Sequence, residues 1–304
     1  MTRVKFSAAL PHQSWITARL RAVPPWALVV IAVISVQIGA ALAKELFGTA
    51  GPSGVVFLRT LLAGILFSAL WRPAVRGHSW KDYRTIVLYG ISIALMMLAF
   101  YAAINRIPLG ITVAIAFTGP LGLSVLGSRR PLDLIWVALA AVGVLLLSPI
   151  SNVTLDPLGM LLAGLSALSW AMYILLTRRV SRRVNTQTAL TLSMLVAALT
   201  ALPFGLNGAL HVLATPALIG LSLLVALLSS AVPFGLEFQA LKSLSPRAFG
   251  LLVSLEPVVA AAIGFVMLGE ALDPRSLIGI GLVTIAATAT ARSDASGEEP
   301  LATS

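Results

Sequence analysis

The chain contains no cysteine and only three histidines. The first absence excludes disulfides, thiolate metal sites and cysteine nucleophiles. The histidines, His12, His78 and His211, lie far apart in the N-terminal tail and in connections, without metal-ligand spacing, so neither a metal nor a cofactor is expected. Charge is scarce too: Asp, Glu, Lys and Arg make up 11% of the 304 residues, and only 11 are acidic. A Gly-x4-Gly-Lys-Ser/Thr loop is also missing, which argues against nucleotide hydrolysis as a direct driver.

What fills the chain instead is hydrocarbon. It is 58% hydrophobic with a mean hydropathy of +0.97, the composition of a multi-span membrane protein rather than a soluble domain. Ten apolar segments are expected to span a bilayer: 26–46, 54–71, 85–105, 108–127, 132–149, 157–177, 187–204, 216–238, 248–268 and 275–291. Each approaches the roughly 20 residues that a crossing helix needs. The expected fold class is therefore all-α and integral to the membrane.

The basic residues orient these spans. With the N-terminus inside, Arg3, Lys5, Arg19, Arg21, Arg72, Arg76, Lys81, Arg84, Arg129 and Arg130 face the cytoplasm. So do Arg178, Arg179, Arg182, Arg183, Lys242, Arg247 and Arg292, making 17 of the 21 Lys and Arg residues. Lys44, Arg106 and Arg275 fall outside, and Arg59 lies within the second span. This bias is the positive-inside rule. It explains the net charge of +10 without nucleic acid as a partner. A rival reading takes Arg19, Arg21 and the run ending at Ala41-Leu42-Ala43 as a cleavable signal, leaving nine spans; the charge count favours a retained first span.

Five spans precede residue 150 and five follow residue 157, which is the pattern of a duplication. Residues 1–24 then form a cytoplasmic tail, 25–150 a first five-helix repeat, 157–291 a second and 292–304 a C-terminal tail. Pro108-Leu-Gly-Ile and Phe117-Thr-Gly-Pro120 in span four align with Pro246-Arg-Ala-Phe and Leu255-Glu-Pro257 in span nine, at offsets of 138 and 137 residues. An odd number of spans per repeat inverts the second copy, and in inverted-repeat transporters the site lies near the midplane at broken helices. Pro120 and Pro257 are the expected helix breaks, each freeing the carbonyl four residues earlier; packing kinks are the alternative reading.

Glu256 stands out among the candidate site residues. It lies within the apolar run Ala248–Leu268, about 12 Å deep if the helix enters at Ala248. A carboxylate there is costly and marks a functional site by default. Arg59 either snorkels outward, binds a substrate carboxylate or pairs with a glutamate. Gln37 either bonds a neighbouring helix or lines a pathway. Trp170 and Tyr173, three apart, share a helix face, and either form an aromatic pocket wall or pack helices. Glu237 falls near the inner end of span eight. Lys44 and Glu45, at the outer end of span one, are expected to snorkel.

The motifs together resemble the EamA-type members of the drug/metabolite transporter superfamily, over about residues 25–291. They are Ser35–Lys44, Leu58-Arg59, Pro108–Leu121, Ser128–Pro131, Trp170–Ile174, Pro233–Glu237 and Ser254–Pro257, with Gly269-Glu270 before a Gly-rich last span. Within the family they resemble the branch that exports threonine and homoserine. The resemblance implies two inverted five-helix halves in a bacterial inner membrane, both termini cytoplasmic, and export of small amino acids by proton antiport. Glu256 would hold either a proton or a substrate ammonium, never both, with Arg59 or a half-helix N-terminus as its positive partner. One departure stands out: that branch carries a glutamate just before Phe-Thr-Gly-Pro, where this chain has Ala116. Ala116 and the apolar interior also fit the export of a hydrophobic drug, pigment or other metabolite. An intramembrane enzyme would need paired carboxylates, a histidine cluster or a Ser/Lys dyad. A channel would need rings of like charge.

Overall fold

A computed structural model describes residues 23–73, 75–127, 135–136, 138–139, 142–143, 146, 156–181, 183–241, 252–271 and 273–297. The expected fifth span, 132–149, and the segment carrying Lys242 and Arg247 fall largely or wholly outside these residues. Among the described residues the elements are helical: α1 Pro25–Glu45, α2 Phe47–Trp71, α3 Trp80–Ile104, α4 Leu109–Gly127, α5 Pro157–Ser181 and α6 Thr186–Leu213. The next crossing is composite, with α7 Pro216–Ala226, a π turn Leu227–Ala231 and α8 Val232–Leu241. Then come α9 Glu256–Leu268 and α10 Pro274–Gly297. Among the described residues six crossings are long and apolar enough to span a membrane, and α4, α9 and α10 contribute shorter apolar helices.

Local chemistry sets the ends. Pro25 opens α1, where its missing N–H costs nothing. Ser79 and Asp82 form a reciprocal capping box on α3. Asn185 caps α6 through the Gln187 N–H at 2.9 Å. Gly51, at φ 65° and followed by Pro52, kinks α2 in a conformation closed to other residues. Gly269, at φ 63°, stops α9.

The packing is inverted relative to a soluble protein. Large apolar side chains face outward, among them Leu161, Leu168, Leu199, Phe204 and Val266. Inward lie polar ones, including Ser35, Gln37, Arg59, Thr60, Ser193, Ser230 and Glu256. That is the arrangement hydrocarbon solvent demands. Without a hydrophobic force between helices, close backbone contact and hydrogen bonds must hold them together. Gly205 and Gly208 of α6 lie so near the Ser53 and Ala50 carbonyls of α2 that a Cβ would overlap them. Ser53 donates to the Phe204 carbonyl at 2.8 Å, and Ser193 to the Ile86 carbonyl at 3.2 Å. Helix α1 packs against α8, α9 and the π turn: Ser35 donates to the Leu228 carbonyl at 2.7 Å, and Gly39 leaves no room for a Cβ beside Ser229.

One end of the bundle is tied by charge. Lys44, at the end of α1, meets Glu270, just past α9, at 2.7 Å. The second oxygen of Glu270 accepts the Leu109 N–H at 2.9 Å, capping α4. Arg106 and Asp156 pair at the same end at 2.6 Å. The Asp156 carboxyl is held below the ordinary carboxylate range, chiefly by the hydrogen bond from Arg106 and then by the Leu158 N–H. Lys44 thus turns inward to a carboxylate rather than snorkelling as expected.

Candidate functional site

Arg59 sits on α2, eight residues past the Gly51 kink, and is 5% exposed. It does not snorkel. Its Nε donates to the Ser230 Oγ at 3.1 Å and its Nη2 to the same oxygen at 3.0 Å. Nη2 also donates to the Ser229 carbonyl, and Nη1 to the Tyr101 hydroxyl. The guanidinium lies 5.1 Å from the Tyr101 ring centroid, close enough for cation–π attraction. The π turn supplies both serines; such turns appear mostly as single insertions within α-helices, frequently at functional sites. All these acceptors are neutral. Among the described residues no carboxylate lies within ion-pair distance of Arg59, whose charge is anchored but not neutralised.

Glu256 is the first residue of α9, is 8% exposed, and precedes Pro257 at the second helical position. The carboxyl therefore stands at a helix N-terminus, where unpaired backbone N–H groups favour negative charge. Just before it, Ser254 and Thr288 of α10 share a hydrogen bond at 2.8 Å. Twelve residues, about 18 Å at 1.5 Å per residue, separate Glu256 from the last residue of α9. Among the described residues the Glu256 carboxyl makes no hydrogen bond and no ion pair.

Glu237, half-buried on α8, is close enough to act on Glu256 electrostatically. It also acts on Tyr89 of α3 and Tyr173 of α5, whose rings stack with centroids 5.2 Å apart. The Thr177 hydroxyl donates to the Tyr173 backbone carbonyl at 2.8 Å. Ser230 and Glu237 are seven residues apart, so two turns, about 10 Å along the helix, put them on nearly the same face. One crossing thus carries both the anchor of the buried cation and the second acid.

Gln37 of α1 is 3% exposed and makes no hydrogen bond among the described residues; its Oε1, with the Ser222 Oγ, is buried and unpartnered. Trp170 meets Phe117 of α4 edge-on at 5.7 Å, whereas Tyr173 stacks on α3, so the two aromatics have different neighbours. Helix α4 runs through Pro120 to Gly127, unlike the break expected there. Membrane helices tolerate proline where neighbours and local adjustment satisfy the freed carbonyl. Ala116 is fully buried.

Sequence reasoning placed Glu237 near a helix end and missed its proximity to Glu256. It passed over Tyr101, Ser229 and Ser230 entirely. The adjacent serines in an otherwise apolar run, Leu227-Leu-Ser-Ser-Ala231, were the available signal.

Comparison with known proteins agrees with this picture. The sequence profile of the EamA-like transporter family matches residues 157–292. The threonine/homoserine exporter RhtA of Escherichia coli K12 is 39% identical over 272 residues, covering 88% of this chain and 92% of that protein. RhtA of Salmonella typhimurium LT2 is 37% identical over 265 residues, 86% of this chain and 90% of its own length. One crystal structure, 20% identical, shares the fold with a TM-score of 0.58 over 90% of this chain and 99% of its own. The chain belongs to the EamA-like transporter family and is a multi-pass membrane transporter rather than an enzyme.

Proposed function

We propose that this protein exports small amino acids of the threonine and homoserine type across a bacterial inner membrane, in exchange for protons. One observation carries the reading: among the described residues, a buried guanidinium without a carboxylate and a buried carboxyl without a cation, in the same bundle. A zwitterion is the cargo whose two charges complement both. Similarity to the two RhtA proteins supports the same substrate class.

In this reading Arg59, held in place by Ser229, Ser230 and Tyr101, receives the substrate carboxylate through its remaining N–H capacity. One N–H, on Nη1, is left for that contact. Glu256, with Glu237 nearby, receives the ammonium. Proton and ammonium compete for the same carboxyl, and that exclusion couples the two fluxes. Both tails face the cytoplasm, and the two five-helix halves, 25–150 and 157–291, are inverted copies that rock around this site. The Lys44–Glu270 pair closes the outer end.

The test is efflux from proteoliposomes under an imposed pH gradient. Glu256→Gln is expected to lose gradient-driven export by at least about 100-fold while retaining a fold. Export by Glu256→Gln as fast as the parent, with the same pH dependence, would rule the mechanism out. The buried charges weigh against a hydrophobic drug or pigment as cargo, since such a molecule would leave both unmatched.

A further inference from the structure

Four of the five N–H groups of Arg59 are taken: Nε and one N–H of Nη2 by the Ser230 Oγ, the other N–H of Nη2 by the Ser229 carbonyl, and one N–H of Nη1 by the Tyr101 hydroxyl. The fifth, on Nη1, is open. Tyr101 of α3 has an open proton as well. Its hydroxyl accepts from Arg59, and among the described residues its own O–H donates to nothing. The side chain is 1% exposed and lies against Phe47 and Phe100. A donor so buried is seldom left without an acceptor, so this proton calls for one. Ser230 accepts from the Nε–Nη2 edge, across the planar group from Nη1. Tyr101 is therefore the hydroxyl beside the open N–H.

Resting on the amino-acid reading above, we infer that Tyr101 binds the substrate carboxylate directly, its O–H taking one oxygen while the open N–H of Arg59 takes the other. The two donors sit on atoms joined by a hydrogen bond, a spacing that the two oxygens of one carboxylate can bridge. A single N–H would give one bond and no fixed orientation. With its own forks occupied, the guanidinium cannot supply a two-point contact alone; with Tyr101 it can. A hydroxyl that accepts from a guanidinium is polarised into a stronger donor, and the apolar rings around it keep the bond in a low-dielectric setting. The ring contributes separately, through its approach to the guanidinium at 5.1 Å. Ring and hydroxyl can therefore be removed one at a time.

The experiment is counterflow with the full-length protein in proteoliposomes. Threonine is the substrate, and 1-amino-2-propanol, which is threonine without its carboxylate, is the competitor. Tyr101→Phe keeps the ring and loses the hydroxyl. Its KM for threonine is expected to rise at least about tenfold, with the maximal rate within about threefold and inhibition by 1-amino-2-propanol unchanged. Replacing Tyr101 by 3-fluorotyrosine separates contact from positioning, because a more acidic phenol is a better donor to the substrate but a poorer acceptor for Arg59. A lower KM for threonine is expected there. An unchanged or raised KM in the fluorinated protein would mean that Tyr101 only holds Arg59, and would overturn the contact. So would a Phe variant with the parent's KM, or one that weakens both ligands equally. If the Phe variant does not fold, the fluorinated protein decides alone. Each of these outcomes leaves the amino-acid reading standing; a parent that carries neither threonine nor homoserine would overturn both.

Discussion

The two buried charge centres are handled in opposite ways. Around Arg59 the contacts are committed: the Ser230 hydroxyl and the Ser229 carbonyl of a π turn and the Tyr101 hydroxyl hold the guanidinium in a single pose. Around Glu256 nothing described is committed, apart from the N-terminus of its own helix and a second acid within electrostatic reach. A permanently charged group gains from being fixed, because fixing it builds a rigid receptor. A group that must change its occupant on every cycle gains from being left open. The first centre reads as a template and the second as a switch.

The largest effect expected from breaking this contrast is at the template. Arg59→Lys keeps the charge but loses the planar fork, so it cannot satisfy Ser229, Ser230, Tyr101 and a carboxylate together. Export in proteoliposomes should fall at least about 100-fold, mainly as a raised KM. Retained affinity would show that Arg59 is only a packing element. Next is Glu237→Gln, which removes the neighbour but not the switch. It should leave export within about tenfold of the parent while displacing its pH profile, and an unmoved profile would separate Glu237 from coupling. A smaller change is expected from Glu270→Gln, which loosens the tie among α1, α4 and α9. Because the pair is only partly exposed, its loss should cost about 1 kcal/mol of stability, read as a lower Tm, together with easier labelling of a cysteine introduced beneath it. The smallest belongs to Asp156→Asn at the rim. The Asp156 carboxyl is held below its ordinary range, so its contribution is present above the unfolded value and fades as pH falls through the folded one. The variant and the parent should differ by a barely measurable Tm shift at neutral pH and converge at acid pH.

How much of this was legible in the sequence depends on whether the signal was local. An acid inside a twenty-residue apolar run announces itself, because each position in such a run has a known cost of polarity. For Arg59 the same cost was visible but its resolution was not, since Ser230 lies 171 residues away and a π turn has no compositional signature. The Lys44–Glu270 pair spans 226 residues, and nothing in either neighbourhood points to the other. Prolines show the limit most clearly. Pro257 stands in the first turn of a helix, where its missing N–H is harmless, while Pro120 lies inside one that continues past it. Sequence marks the place where a break is permitted; tertiary contacts decide whether it occurs.

The π turn carries a consequence for the gene. Five residues, Leu227–Ala231, hold the crossing in a wider winding than the helix on either side. Loss or gain of a single codon there would rewind or overwind the turn and rotate everything after it by about 100° relative to what comes before. A change at Ala231 would part Ser230 from Glu237, and one before Ser230 would turn both together away from the start of the crossing, although no residue of either centre had been substituted. In this stretch it is chain length, more than residue identity, that selection has to preserve.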